Sequence, residues 1–490
     1  LTACSSSSAD SEDVAGSASS AQGGTVRVGI MGAPGDPLDV TMASSFFSYG
    51  VSLNLFDSLV VMSQGQTELV LAESITPNED ATEWTIAIHD DVKFTDGSDV
   101  TADDVLASLK YLAVAPNYGS MFADFDFDNA SSDGDLTVKL PMAKPRADLV
   151  ESILAQISIV FPEGMTDFTK AIGSGPFKLE SYDPDTGVVL ARNDDYWGGA
   201  PALERLEFLP IADATARLTA VASDQLDYAM GVTATGAQTI QKGSGVVVQD
   251  PGPAESNAFT FMLNPNKAPF NDPEVRDAFR LAVDRQALVD VVFRGRGTVG
   301  NDIVGKGMVG YDDSIEQRQR DIDKATEVFK AKGVTSISVL ASEMTPGITD
   351  AAKLLAQQLQ EAGVDVTVTE VDPTALFADL STIPANDVFS FYAINRPIAA
   401  HIPMFSVDGA PGNYMGGTNS ELTEVITASQ ATSDEAERTR LLDKAQEILW
   451  TSGPDTVWGF QPVLSAHDEK LSGVEIIQSV PVFTHASYQA

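Results

Sequence analysis

A single cysteine, Cys4, occurs in 490 residues, so neither an internal disulfide framework nor a multi-cysteine metal site is open to this chain. Histidine is nearly as scarce: His89, His401, His467 and His485 are scattered, and none has a partner at the spacing of a metal-ligand pair. Lysine and arginine number 30 against 70 Asp and Glu, a formal charge of −40. That excess repels DNA, RNA and anionic lipid surfaces at long range and sets nucleic acid aside as a partner. No apolar run approaches the roughly 18 residues that span a bilayer, so any membrane attachment has to be covalent. There is no G-x-S-x-G elbow to carry a nucleophile, and carboxylates are too abundant to single out a glycosidase pair. No catalytic residue, metal or cofactor is therefore assigned. The string Gly295-Arg296-Gly297-Thr298-Val299-Gly300 matches a dinucleotide fingerprint in letters only. It follows a helical pattern where that motif needs a strand, and reads as a surface turn.

What is present is a globular chain. Hydrophobic residues make up 43% of it, enough for a substantial core, and its length exceeds one ordinary domain, so two or three lobes are expected. At the amino end, Leu1-Thr2-Ala3-Cys4 resembles the bacterial lipobox, in which small residues precede a cysteine that is lipidated. Cys4 is thus the expected lipidation site, with a signal peptide upstream of it. Residues 5–24 are Ser, Ala, Gly and acidic residues without apolar periodicity, the composition of a flexible tether reaching roughly 25 Å.

The body alternates strand and helix patterns. Thr25–Ile30, residues 85–88, 92–94 and 136–140, and the pair 177–179 and 188–190 around a turn at 183–187 read as strands. Asp96-Gly97 supplies another turn, and Thr101 with Asp104 has the capping-box spacing ahead of a helix. Residues 270–293 read as one helix capped by Asp272 with Pro273 in its first turn. Beyond it, Ser336–Ala341, Ile348–Glu361, 364–371, 374–380 and Val388–Ile394 form a βαβαβ run, and 433–450 is a further amphipathic helix.

Several segments taken together resemble the extracellular solute-binding proteins of family 5, which include dipeptide, oligopeptide and nickel-chelate binding proteins. They are Gly173-Ser174-Gly175-Pro176-Phe177-Lys178-Leu179, then Arg192-Asn193-Asp194-Asp195-Tyr196-Trp197-Gly198, then Pro201, Phe208, Arg217 and Asp227. Asn264, Pro269-Phe270, Val275-Arg276, Ala282-Val283-Asp284-Arg285, Asn413-Tyr414 and the stretch 438–449 follow in order. The resemblance implies an α/β, two-lobed periplasmic-binding-protein-like fold of type II with an extra subdomain inserted in the first lobe. The implied division is lobe I at 25–47, 174–259 and 466–490, the insert at 48–173, and lobe II at 260–465. It implies an extracytoplasmic, lipid-anchored monomer that captures a small-molecule or peptide ligand by lobe closure and delivers it to an ABC permease. The alternatives are a secreted hydrolase of peptides or glycans, a binder of oligosaccharide or metal chelate, and a receptor of a signalling peptide.

Ligands of open α/β sheets lie beyond the carboxyl ends of the strands, so Ser342-Glu343, Asp372 and Asn395-Arg396 are expected to face the cleft. Peptide binders that this chain resembles commonly carry an Asp after the last of these strands to hold the peptide's amino terminus. Here the loop reads Ala393-Ile394-Asn395-Arg396-Pro397, with His401 beyond it, which suits a carboxylate or a ring better than an amine. The candidate ligand residues are Phe47, Tyr49, Tyr392, Asn395, Arg396 and Tyr414, aromatic walls with few polar anchors.

Overall fold

The computed structural model describes residues 20, 21, 23–42, 45–116 and 119–489. Two sheets dominate it. In the first, of seven strands, Thr25–Ile30 runs parallel to Arg205–Pro210 on one side and to Tyr228–Met230 on the other. Gly187–Arg192 and Phe177–Asp183 extend one edge, and Ser465–Asp468 and Val246–Gln249 the other, all antiparallel. Val26, Val28 and Ile30 are fully buried at the centre, as parallel strands covered on both faces require.

The second sheet has six strands in the order Thr298–Val299, Asp455–Pro462, Ser256–Leu263, Val388–Ile394, Ser336–Ala341, Asp365–Glu370. The last three are the expected βαβαβ run, with Ser336–Ala341 parallel to both neighbours. Side chains alternate across its central strand: Phe259, Phe261 and Leu263 enter one core with Trp458, Phe279 and Phe293, while Ala258 enters another with Leu442, Ala445 and Phe460. Two four-stranded sheets, built on Val60–Ser63 and on Glu83–Ile88, share a continuous core with the seven-stranded sheet. The fold is α/β and two-lobed, and the chain crosses between the large sheets beside Glu255 and again beside Val463, where the Val463 N–H donates to the Glu255 carbonyl.

Most local expectations stand, with four differences. The tether is fixed earlier than its composition suggests: Ser20 and Ala21 pair with Gln489 and Tyr488. Residues 92–94 are not a strand but one arm of a tight turn with a single bridge from Lys93 to Asp99, although Val92 and Phe94 are buried. The helix at 270–293 is two helices, Pro273–Ala282 and Arg285–Val292. Asp284 breaks it, because its side chain accepts the Ala287 N–H and caps the second helix, while its own N–H donates to Gln358. Helix 374–380 ends at Ala378. The capping box at Thr101 and Asp104 is present.

The family-like segments turn out to be scaffold. Gly173 and Gly175 pass against Leu55 so closely that an added Cβ would lie 2.0 and 2.7 Å from its carbonyl oxygen. The Asn193 side chain donates to the Gly175 carbonyl. Tyr196 Oη and Trp197 Nε1 donate to the buried Asp57 at 3.1 and 2.8 Å; burial pushes that carboxyl up to about 6 against these bonds. Arg217 donates to the carbonyls of Ile211, Ala212, Met230 and Gly231.

Candidate ligand-binding cleft

Between the two large sheets lies a cleft of about 1170 Å³, somewhat larger than the roughly 300–1,000 Å³ typical of small-ligand sites. One wall carries Met31, Phe46, Tyr49 and Thr233; the other carries Arg294, Arg296, Glu343, Met344, Tyr392 and Arg396. Glu255, Gln461, Val463, Gln478 and Ser479, from the crossovers and the carboxy-terminal hairpin, close its floor.

Tyr49, Tyr392, Asn395 and Arg396 are brought together here as lining residues. Phe47 and Tyr414 are not. Helix Phe46–Leu55 presents Phe46 and Tyr49, three residues apart, on one face. That rotation sends Phe47 into the core, where it is 1% exposed. Tyr414 packs instead at 5.4 Å from the Phe391 ring, in a cluster behind Tyr392. Glu343 lines the cleft, but Asp372 does not. Its strand is the sheet edge, and its carboxylate caps helix Pro373–Ala378 through the Thr374 N–H. Ser342 is fully buried. Cys4 lies outside the described residues.

The polar groups divide into spent and available. The Asn395 amide donates to the Pro253 and Lys306 carbonyls, both at 2.9 Å, and accepts the Gly305 N–H at 2.8 Å. It ties the crossover to lobe II and has little capacity left for a solute. Glu343 accepts the N–H groups of Gly347 and Thr349, capping helix Ile348–Glu361. His401 is buried, stacked on Phe405 at 4.5 Å, and pushed down to about 3 by burial and then by Arg396, so its ring is neutral.

Arg294 and Arg296 are the residues that sequence reasoning missed. Both line the cleft, and neither forms an ion pair among the described residues. Arg294 at φ 55° and Gly295 at φ 72° make the left-handed turn that projects them. Only the start of the false dinucleotide string is a turn: Thr298–Val299 is instead an edge strand of the six-stranded sheet, pairing with Phe460 and Gly459. The signal was two arginines flanking a glycine in a chain with only 30 basic residues.

Residues 66–399 match the family model of bacterial extracellular solute-binding proteins, family 5 Middle. The glutathione-binding protein GsiB of Escherichia coli K12 is 25% identical over 465 residues, 90% of each chain. That of Salmonella paratyphi A is 25% identical over 466 residues, again 90% of each. The ABC transporter substrate-binding protein CtaP of Listeria monocytogenes superposes with a TM-score of 0.81 at 21% identity, covering 95% of this chain and 100% of its own. DppA of Helicobacter pylori in complex with the peptide STSA gives 0.73 at 20% identity, covering 96% and 99%.

Proposed function

Because the chain belongs to the bacterial extracellular solute-binding proteins of family 5, and is an extracytoplasmic substrate-binding protein of the ABC-import type, we propose that its solute is a peptide or peptide-like molecule. It works as a monomer with no chemistry of its own, closing on the solute and presenting it to a membrane permease. The observation that carries this reading is the cleft between the lobes, with aromatic walls and a wall of arginines in an otherwise acidic protein. Such a wall suits a carboxylate-bearing solute, because the planar guanidinium matches a carboxylate fork. The lobe division we propose is 25–47, 174–259 and 466–490 for lobe I, 48–173 for its insert and 260–465 for lobe II. Strand membership supports it except at the crossovers: the seven-stranded sheet takes its strands from 25–30, 177–249 and 465–468, while Ser256–Leu263 lies wholly in the six-stranded sheet.

Closure is favoured only by what the solute contacts in the closed form. A screen of glutathione, short peptides, oligosaccharides and metal chelates by thermal unfolding should find a peptide-like stabiliser. At 100 times its dissociation constant it adds about 2.7 kcal/mol. Stabilisation by an oligosaccharide or chelate alone would replace the solute class, and turnover of any member would replace binding by catalysis.

We further propose lipidation at Cys4, supported by the small residues before it and the tether composition after it. The full precursor should fractionate with membranes, and the Cys4→Ser precursor should be released. Equal membrane retention of the two would refute the anchor.

A further inference from the structure

Glu255 stands at the point where the chain crosses between the lobes, and it lines the cleft floor while being 3% exposed. One carboxylate oxygen accepts the Ser479 N–H at 2.6 Å. The other, Oε1, is buried with no hydrogen-bond partner among the described residues. A buried acceptor left without a donor is destabilising, and more so when charged, so structural duty does not account for it. A glutamine, or a single carbonyl, would hold the Ser479 N–H equally well. The hairpin that supplies that N–H is itself costly: Gln478 and Ser479 adopt φ 51° and 67° without being glycines, in the two-residue turn between Glu475–Ile477 and Val480–Val482.

We propose that Glu255 is a ligand-binding residue and that its free oxygen receives a protonated amine of the solute, making the solute zwitterionic with its anionic end toward Arg294 and Arg296. This rests on the peptide-like reading above and adds the amine to it. The loop after Val388–Ile394, where the family resemblance implies an acidic residue, offers Asn395 and Arg396 instead. Of the acidic residues that line the cleft, Glu255, Glu343 and Asp350, the one with a buried unmatched oxygen comes from the hinge.

Electrostatics around the carboxyl agree. Burial pushes Glu255 up to about 7, opposed only by the N–H groups of Ser479 and Gln478. The loop packed on 253–255 brings Lys306, whose ammonium sits over the Tyr311 ring at 5.5 Å, and the segment beyond Asn395 brings Arg396. Neither contributes to the shift. An arriving ammonium favours the carboxylate and expels the proton.

The test uses the folded chain with two probes, an equimolar tripeptide library with free amino termini and the same library N-acetylated, read by native mass spectrometry and titration calorimetry. The wild type should prefer the free-amine library by about 10- to 100-fold, the range of a charged hydrogen bond. At pH 7 binding should release about half a proton, as a carboxyl near that value requires. Glu255→Gln should lose both the preference and the release while keeping its melting temperature. If that variant does not fold, Glu255→Asp should keep the release with a reduced preference. A preference unchanged in either variant, or equal binding of both libraries to the wild type, overturns the proposal alone. Binding of neither library overturns it together with the peptide-like reading.

Discussion

Asp302→Ala is expected to destabilise the second lobe by about 3–5 kcal/mol, the cost of stranding buried partners of an ion pair. The Asp302 side chain is wholly buried and receives two arginines, Arg285 at 3% exposure and Arg318 at 11%. Its second oxygen is 2.6 Å from Arg318 Nε. Arg318 also stacks on the Trp450 ring at 4.2 Å and donates to the Trp450 carbonyl, which Arg280 shares. The cluster thereby pins the end of helix Glu435–Ser452 to helix Pro273–Ala282 and to the loop at 300–302. Asp302 adds a backbone argument, since it sits at φ 66°, which aspartate and asparagine tolerate better than alanine. Asp302→Asn keeps that tolerance and removes the charge, so it should fall between alanine and wild type. Urea unfolding of the ligand-free protein measures both. An alanine variant within about 1 kcal/mol of wild type, the ordinary cost of a point substitution, would mean that the arginines are satisfied without it.

That cluster shows why the family was legible in the sequence and its energetics were not. Arg285 belongs to a segment recognisable by pattern, but its partner lies 17 residues on, in a loop with no periodicity to read. Likewise the glycines at 173 and 175 and the Tyr196-Trp197 pair were visible as a motif, while their reasons, the Leu55 carbonyl and Asp57, are distant in sequence. Recognisable residues here are those that hold backbone to backbone. The strand alternation and the βαβαβ run were legible for a different cause: period two and burial are local properties. Where a capping residue competed with apolar periodicity, at Asp284, periodicity alone joined two helices into one.

The cleft was harder to read, because lining it depends on rotation about an element and not on residue type. Phe46 and Phe47 are adjacent and chemically identical, yet only the first lines the cleft. Asn395 lines the cleft, but its amide is consumed by the Pro253 and Lys306 carbonyls and the Gly305 N–H, bonds that no linear spacing announces. Glu255 had no motif around it at all. Its interest comes from an oxygen that the fold buries and leaves unmatched.

Arg438→Ala is expected to weaken solute binding without touching the cleft. Arg438, on helix Glu435–Ser452 of the second lobe, donates to the Ala147 carbonyl and to Glu151, both at 2.6 Å. Ala147 in turn donates to the Gln430 carbonyl, and the Gln430 side chain to Asp148. Leu149, Ile153 and Leu154 anchor this partner segment in the core shared with the seven-stranded sheet. The contact therefore bridges the two cores, and none of Ala147, Asp148, Glu151, Gln430 or Arg438 lines the cleft. Burial raises the Glu151 carboxyl, and Arg438 is the largest influence opposing that rise. Removing the arginine leaves a largely buried acid without its cation. Truncating one member of such a pair costs roughly 2–5 kcal/mol, and the 25% exposure of Arg438 argues for the lower end, about 2 kcal/mol. Where lobe opening breaks this bridge, its loss lowers the closed fraction and raises the apparent dissociation constant in proportion. The ceiling is about 30-fold, expressed mainly as faster release. Small-angle scattering of the ligand-free variant should show a larger radius of gyration than wild type, a readout that needs no solute. An unchanged radius together with unchanged affinity would mean that closure is governed within the cleft alone.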